Sequence, residues 1–111
     1  MTTIFRLPKL LACLALIAAT LTVAPAASED APAISIKNFM FQPMSLTVRA
    51  GTTVVWKNLD DEPHLVVSAD GLFRSPALDQ GDSFEHRFDQ PGTYAIFCGI
   101  HPNMRATIIV Q

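Results

Sequence analysis

Four side chains carry donor atoms of the kinds that bind transition metals: His64, Cys98, His101 and Met104. Three of them fall within residues 98–104, with two residues between each successive pair. A short loop with that spacing can turn all three side chains toward one centre. His64 lies 34 positions before Cys98 and must reach the same centre through the fold. We therefore predict a metal site built by one loop and one distant histidine.

The donor types indicate which metal the site would hold. A thiolate is soft and binds Cu(I) or Zn(II), an imidazole suits Cu(II) and Zn(II), and a thioether is a weak ligand of little use to Zn, Mg or Ca. Two histidines, one cysteine and a weak axial methionine make up the ligand set of a blue copper site. Protein atoms would then fill all four positions, which favours outer-sphere electron transfer over substrate chemistry. We predict one copper ion and no enzymatic activity.

Other interpretations of these residues stay open at this point. Cys98 could be a small buried hydrophobic residue, and Met104 could fill a gap in the core. A Cys–His nucleophilic pair would need a third orienting group and a substrate cleft, for which a short chain has little room. Zinc could occupy the same ligands, although structural zinc sites usually take four Cys or His side chains rather than a methionine.

The first 26 residues differ from the rest of the chain. A basic start at Arg6 and Lys9 precedes an apolar run from Leu10 to Ala19, and small residues follow at positions 24–27. That order is typical of a secretory signal peptide, cleaved near Ala26. A membrane anchor is the alternative, but about 20 apolar residues are needed to cross a bilayer and this segment is shorter. We therefore expect no stable membrane insertion after cleavage.

Cys13 offers a further possibility at this end of the chain. The residues around it resemble a lipoprotein box, in which a cysteine becomes lipidated. However, only a few residues separate Lys9 from Cys13. That interval is too short for the apolar core that should precede the box.

Charge and cysteine count narrow the function of the exported chain. The 111 residues carry 8 Lys+Arg and 10 Asp+Glu, a net charge of −2, and loss of Arg6 and Lys9 leaves −4. A nucleic-acid partner is excluded because a phosphate-binding surface needs a basic excess. Loss of Cys13 leaves Cys98 alone, so no internal disulfide can form. A bound metal would protect that thiol in an oxidising compartment.

The elements that position these side chains are predicted to be strands. Residues 27–33 form a flexible lead-in, and residues 34–111 form a single domain. In that domain apolar residues recur with period two in short runs, separated by turn signals about every ten residues. The pattern predicts an all-β sandwich or barrel of seven to eight strands. A strand from Thr93 would deliver Cys98 at its end.

The sequence resembles the cupredoxins, specifically the small amicyanin-like and plastocyanin-like members. The resemblance covers nearly the whole exported chain and is carried by Asn38-Phe39 to Pro43, Val48 to Gly51, Val55-Trp56-Lys57-Asn58, Pro63-His64, Asp70-Gly71, Pro91-Gly92-Thr93-Tyr94 and the Cys-x-x-His-x-x-Met spacing of residues 98–104. It implies a Greek-key β-sandwich with His64, Cys98, His101 and Met104 as ligands of one type I copper. It also implies a periplasmic monomer that exchanges single electrons with redox proteins such as a cytochrome or a dehydrogenase.

One departure from the family pattern concerns the support of the ligands. In many relatives the residue after the cysteine carries a hydroxyl, through which an asparagine ties the two ligand-bearing loops together. Gly99 has no side chain here. We expect Asn58 to bond to backbone around Gly99 instead, because a ligand loop needs outer support.

Several other residues receive less specific interpretations. His86 shares parity with Phe84 and Phe88, so we expect it on the core side of a strand in a structural role rather than at an accessory metal site. Met40 and Met44 are interpreted as packing or surface residues rather than as a Cu(I) capture site. The acidic segment 60–62 is expected to be a solvated loop near the metal that could steer a basic partner.

Two further functions compete with electron transfer. A periplasmic copper chaperone or buffer that delivers copper to an oxidase could use the same ligands, although the chain has no Met-rich or His-rich tract. A copper enzyme would need further copper centres built from additional histidines. The three histidines of the chain include no His-x-His pair, which argues against such an enzyme.

Overall fold

The computed structural model describes residues 2–4, 15–20 and 31–111. The predicted cleavage point near Ala26 and residues 27–30 of the predicted lead-in lie outside the described residues. Within the described ranges, no helix has the length and apolar character that a membrane crossing needs.

Eight strands make up the regular structure of the described residues. They are β1 (Ala33–Lys37), β2 (Met40–Gln42), β3 (Ser45–Val48), β4 (Thr52–Asn58), β5 (Val67–Ser68), β6 (Ser83–Phe88), β7 (Gly92–Phe97) and β8 (Arg105–Val110). One sheet has the order β2-β1-β4-β6 and the other the order β3-β8-β7-β5. The pairs β1/β4 and β3/β8 are parallel, and the other pairs are antiparallel. The predicted all-β sandwich is confirmed.

The core lies between the two sheets and follows the period-two pattern of the sequence. In β4, Val54, Trp56 and Asn58 are fully buried on one face. In β8, Ile108 and Val110 face the same interior. Alternation of this kind fixes the register, because a shift of one residue would turn the whole apolar face of a strand to solvent.

Two local predictions differ from the structure. Ala33, placed in the lead-in from the sequence, is the first residue of β1 and pairs with Val55. The period-two pattern, taken alone, would place Phe39 on the same face as Phe41. Instead Phe39 lies in the turn between β1 and β2 with φ of 57°, so its side chain leaves the pleat and is 46% exposed.

His86 lies among aromatic rings on the core side of β6, as its parity with Phe88 predicts. Its ring stacks on Phe73 with centroids 4.3 Å apart and meets Phe88 edge-on at 4.8 Å. Burial lowers the pKa of His86 below its ordinary value, although Asp89 and Asp70 partly oppose this. The folded protein therefore favours the neutral imidazole.

The lowered pKa of His86 predicts a pH dependence of stability. At a pH above the pKa of His86 in the unfolded chain, about 6.5, its neutral ring contributes fully to the free energy of unfolding. As the pH falls toward the lower pKa of the folded protein, the unfolded chain binds the proton first, so this stability is lost. Substitution His86→Phe keeps an aromatic ring on Phe73 and removes this titration. We expect the variant to lose less unfolding free energy than the parent between pH 7.5 and 5.5, measured by urea unfolding of the metal-free proteins. An equal loss in both proteins would contradict the assignment.

Candidate metal centre

The loop between β7 and β8 carries three of the four predicted ligands. Cys98 follows directly after β7, and its N–H donates to the Met104 carbonyl at 3.1 Å. The Met104 N–H in turn donates to the His101 carbonyl at 2.9 Å. These two bonds close residues 98–104 into a compact turn before β8 begins. The two-residue spacing of the sequence therefore corresponds to one closed loop, as predicted.

His64 reaches this loop because its backbone is fixed by a second segment. His64 and Leu78 form an isolated antiparallel bridge, with N–H···O bonds of 3.1 and 2.8 Å in the two directions. The His64 side chain is completely buried. The imidazole therefore has little freedom to move when the site is assembled.

The structure brings His64, Cys98 and His101 together, as predicted. Their ligand atoms all lie within 4.8 Å of one another. Cys98 Sγ is 3.7 Å from His64 Nδ1 and 3.8 Å from His101 Nδ1. Among the described residues this is the one group of three or more His, Cys, Asp or Glu side chains placed to hold a metal.

These separations fit a single metal ion shared by the three atoms. Zinc, a metal of similar ligand preference, is held about 2.0–2.1 Å from nitrogen and about 2.3 Å from sulfur, so one ion can reach a sulfur and a nitrogen that are 3.7 or 3.8 Å apart. Direct S–H···N hydrogen bonds would not require both imidazoles to present the same atom, Nδ1, to one sulfur. The donor set and its spacing therefore fit one metal ion held by two imidazole nitrogens and one thiolate.

The Cys98 sulfur lies in a dry and closely packed environment. Cys98 is fully buried, and the Leu65 N–H points at Sγ from 3.4 Å. A Cβ placed on Gly99 would come within 3.3 Å of Val67 Cγ2 and 3.4 Å of Leu65 Cβ. Glycine at position 99 thus allows the ligand loop to pack closely against the segment that follows His64.

Asn58 supports the His64 segment rather than the ligand loop. Its Nδ2 donates to the carbonyls of Glu62 and Leu78, both at 2.8 Å, and its Oδ1 accepts from the Asp60 N–H at 2.9 Å. The expected bond to backbone around Gly99 is not among its contacts. Since Leu78 also pairs with His64, Asn58 ties both sides of that bridge together.

Asp60 was expected in a solvated acidic loop, and this expectation is wrong. The residue is only 6% exposed, and its Oδ2 lies 2.9 Å from His64 Nε2. Burial by itself raises the pKa of the Asp60 carboxyl. Hydrogen bonds from the N–H groups of Phe39 and Asn38, together with His64, have the larger opposite effect, so the pKa lies below its ordinary value. Within this acidic segment Asp61 and Glu62 are exposed, so they rather than Asp60 could steer a basic partner.

Phe39 contacts both predicted histidine ligands, a role that the sequence did not indicate. Its ring meets His64 edge-on with centroids 5.3 Å apart and His101 at 5.1 Å. The two imidazoles are themselves 5.3 Å apart. Phe39 therefore covers the imidazole pair on one side, and it lines a surface cavity together with Ile100, His101 and the adjoining loop residues.

The remaining candidate residues divide between the site and other regions. Met104 is 6% exposed and lies at the end of the ligand loop. Met40 and Met44 are 45% and 60% exposed, as surface residues should be. His86 lies outside the group formed by His64, Cys98 and His101.

Comparison with known proteins gives a consistent result. A family model described as a cupredoxin-like domain matches residues 10–110. The chain is 32% identical to amicyanin-alpha from Methylorubrum extorquens, over 90% of this chain and 94% of that protein. It is 36% identical to plastocyanin from Scenedesmus fuscus, over 65% of this chain and 87% of that protein. Among solved structures, it resembles a novel purple cupredoxin from Nitrosopumilus maritimus, with a TM-score of 0.67, 34% identity, and coverage of 72% of this chain and 99% of that one.

Proposed function

Because the chain belongs to the cupredoxin family, we propose that it is a type I copper protein that transfers single electrons between redox partners. One observation carries the proposal: Cys98 Sγ lies 3.7 and 3.8 Å from the Nδ1 atoms of His64 and His101. Imidazole and thiolate ligands suit copper or zinc, and a methionine as the fourth ligand favours copper. When bound, the copper supplies reversible Cu(I)/Cu(II) chemistry.

The residues of this chain would each contribute to that function. His64, Cys98 and His101 would hold the ion through their two imidazole nitrogens and the thiolate, and Met104 would supply a fourth, weak thioether ligand. His64 and Cys98 are completely buried, so water is kept from their side of the site. With these four side chains as ligands, no position would be left for a substrate at the metal, which fits an electron carrier rather than an enzyme.

His101 is the proposed route for the electron. It is partly buried and lies beside Ile100, which is 46% exposed, as is Phe39. These apolar side chains form a rim through which a redox partner can approach the imidazole while water is excluded from the contact.

We also propose that the chain is exported to the periplasm and cleaved near Ala26. The N-terminal sequence of the exported chain tests this, and an uncleaved start would refute it.

Burial of the ligands favours electron transfer over copper delivery. A carrier that hands copper to an acceptor has to expose the ion, whereas His64 and Cys98 have no exposed surface here. The copper-loaded, reduced chain should therefore keep its copper when mixed with a Cu(I)-binding acceptor protein, and should remain coloured on reoxidation. Rapid and complete transfer to the acceptor would instead support a chaperone or buffer.

The axial position gives a separate prediction. Met104→Leu should keep the coloured site and raise the reduction potential by at least about 59 mV, a tenfold change in the preference between oxidation states, because loss of a weak donor disfavours Cu(II) more than Cu(I). The exposed Met40 and Met44 offer the matched controls Met40→Leu and Met44→Leu, which should leave the potential unchanged. Voltammetry of the three variants tests this; an unchanged potential in Met104→Leu would mean that Met104 is not a ligand.

A further inference from the structure

The far side of the His64 ring faces a buried carboxylate. Nε2 of His64 and Oδ2 of Asp60 are 2.9 Å apart, and the two side chains are 0% and 7% exposed. The opposite ring nitrogen, Nδ1, faces Cys98 Sγ. A nitrogen that binds a metal must offer a lone pair, so the ring proton has to reside on Nε2, where it donates to Asp60.

The carboxylate of Asp60 is itself held in place by backbone groups. The Asn38 N–H donates to Oδ1 at 2.7 Å and the Phe39 N–H donates to Oδ2 at 3.0 Å. Both residues have positive φ, 53° and 57°, and their successive N–H groups each face one oxygen of the same carboxylate. Successive N–H groups of this kind form a site for an anion. The turn between β1 and β2 thus favours a charged carboxylate at this position.

The groups in contact with the Asp60 carboxylate carry no fixed positive charge. Its contacts are with neutral backbone N–H groups and the His64 ring, and no Lys or Arg ion pair to Asp60 is present among the described residues. Because the carboxylate is buried, solvent and salt screen its charge less than that of an exposed acid. A fixed negative charge beside a ligand stabilises the more positive state of a metal.

We propose that Asp60 is a positioning residue of the metal centre, whose buried carboxylate fixes His64 with Nδ1 free and favours Cu(II) over Cu(I). The inference rests on the proposed function for its redox part. The part on the tautomer, that the His64 ring carries its proton on Nε2, concerns the protein without metal and does not depend on copper binding. Outer partners of metal-binding histidines typically change metal affinity by about 10–100-fold when they are removed.

The redox part is tested by the reduction potential of copper-loaded Asp60→Asn. We expect at least a tenfold loss of the preference for Cu(II), which raises the potential by about 59 mV or more. Asp61→Asn is the matched control, because it removes the same charge from the next residue, which is exposed and screened. A shift in Asp60→Asn no larger than that in Asp61→Asn would overturn the proposal.

The tautomer part is tested in the unaltered chain without copper, so it does not depend on whether a variant folds. Nitrogen-15 NMR of the histidine rings should show the His64 proton on Nε2, with slow exchange because of the hydrogen bond to Asp60. A proton on Nδ1 would overturn the proposal. A chain that shows the Nε2 proton but binds no copper would instead refute the proposed function together with the redox part.

Discussion

Cys98→Ser should yield a folded chain that gives no intense visible absorption when Cu(II) is added. The band expected of a type I site arises from charge transfer between thiolate sulfur and copper, and the Cys98 Sγ faces both imidazoles. A serine hydroxyl is a hard donor and does not replace a thiolate at neutral pH. We therefore expect complete loss of the band rather than a shift, measured by absorption spectroscopy after copper addition.

Two controls make this result specific. Burial of a serine hydroxyl at a completely buried position can cost about 1–3 kcal/mol, so Cys98→Ala provides a second variant without a polar group. Circular dichroism should show that both variants keep the β-sandwich. His86→Phe removes an imidazole that lies outside the site and should retain the band. Survival of the band in either Cys98 variant would show that another residue is the source of the colour.

Asn58→Ala should cause a large loss of stability in the metal-free protein. Asn58 is fully buried and makes three hydrogen bonds, to Glu62, Leu78 and Asp60. The bonds to Leu78 and Asp60 are buried and contribute about 1 kcal/mol each, and the Leu78 carbonyl and the Asp60 N–H left behind have no water to replace the lost partner. We expect the free energy of unfolding to fall by about 3 kcal/mol.

The loss is measured by urea unfolding, followed by the fluorescence of Trp56, the single tryptophan of the chain. Asn103→Ala is the matched control. Asn103 is exposed in the ligand loop, so its removal should change stability by no more than about 0.5 kcal/mol. Equal effects of the two substitutions would show that the Asn58 hydrogen bonds do not support the fold as the structure indicates.

The ligand loop could be predicted from the sequence because its geometry is local. Cys98, His101 and Met104 lie within seven residues, so a single turn between two strands brings them together whatever the rest of the chain does. His64 required more information, since no local pattern places it near residue 98. Its Pro-His context became informative through the resemblance to the cupredoxins.

The outer contacts of the site were missed because they depend on long-range packing. Asp60 belongs to a run of three acidic residues, a pattern typical of a solvated loop. It becomes buried because the N–H groups of Asn38 and Phe39, which are distant in sequence, donate to its carboxylate. The period-two pattern gives the wrong face for Phe39, because a positive φ at this residue interrupts the pattern that its neighbours follow.

The central claim is that Cys98, His64 and His101 hold one copper ion that changes oxidation state reversibly. Its most direct test is a redox titration of the copper-loaded chain, followed in the visible spectrum. We predict an intense band that appears on oxidation and disappears on reduction, with one electron and one copper ion per chain and no loss over repeated cycles. A colourless copper complex, or a band that is lost after one cycle as copper leaves the protein, would contradict the account.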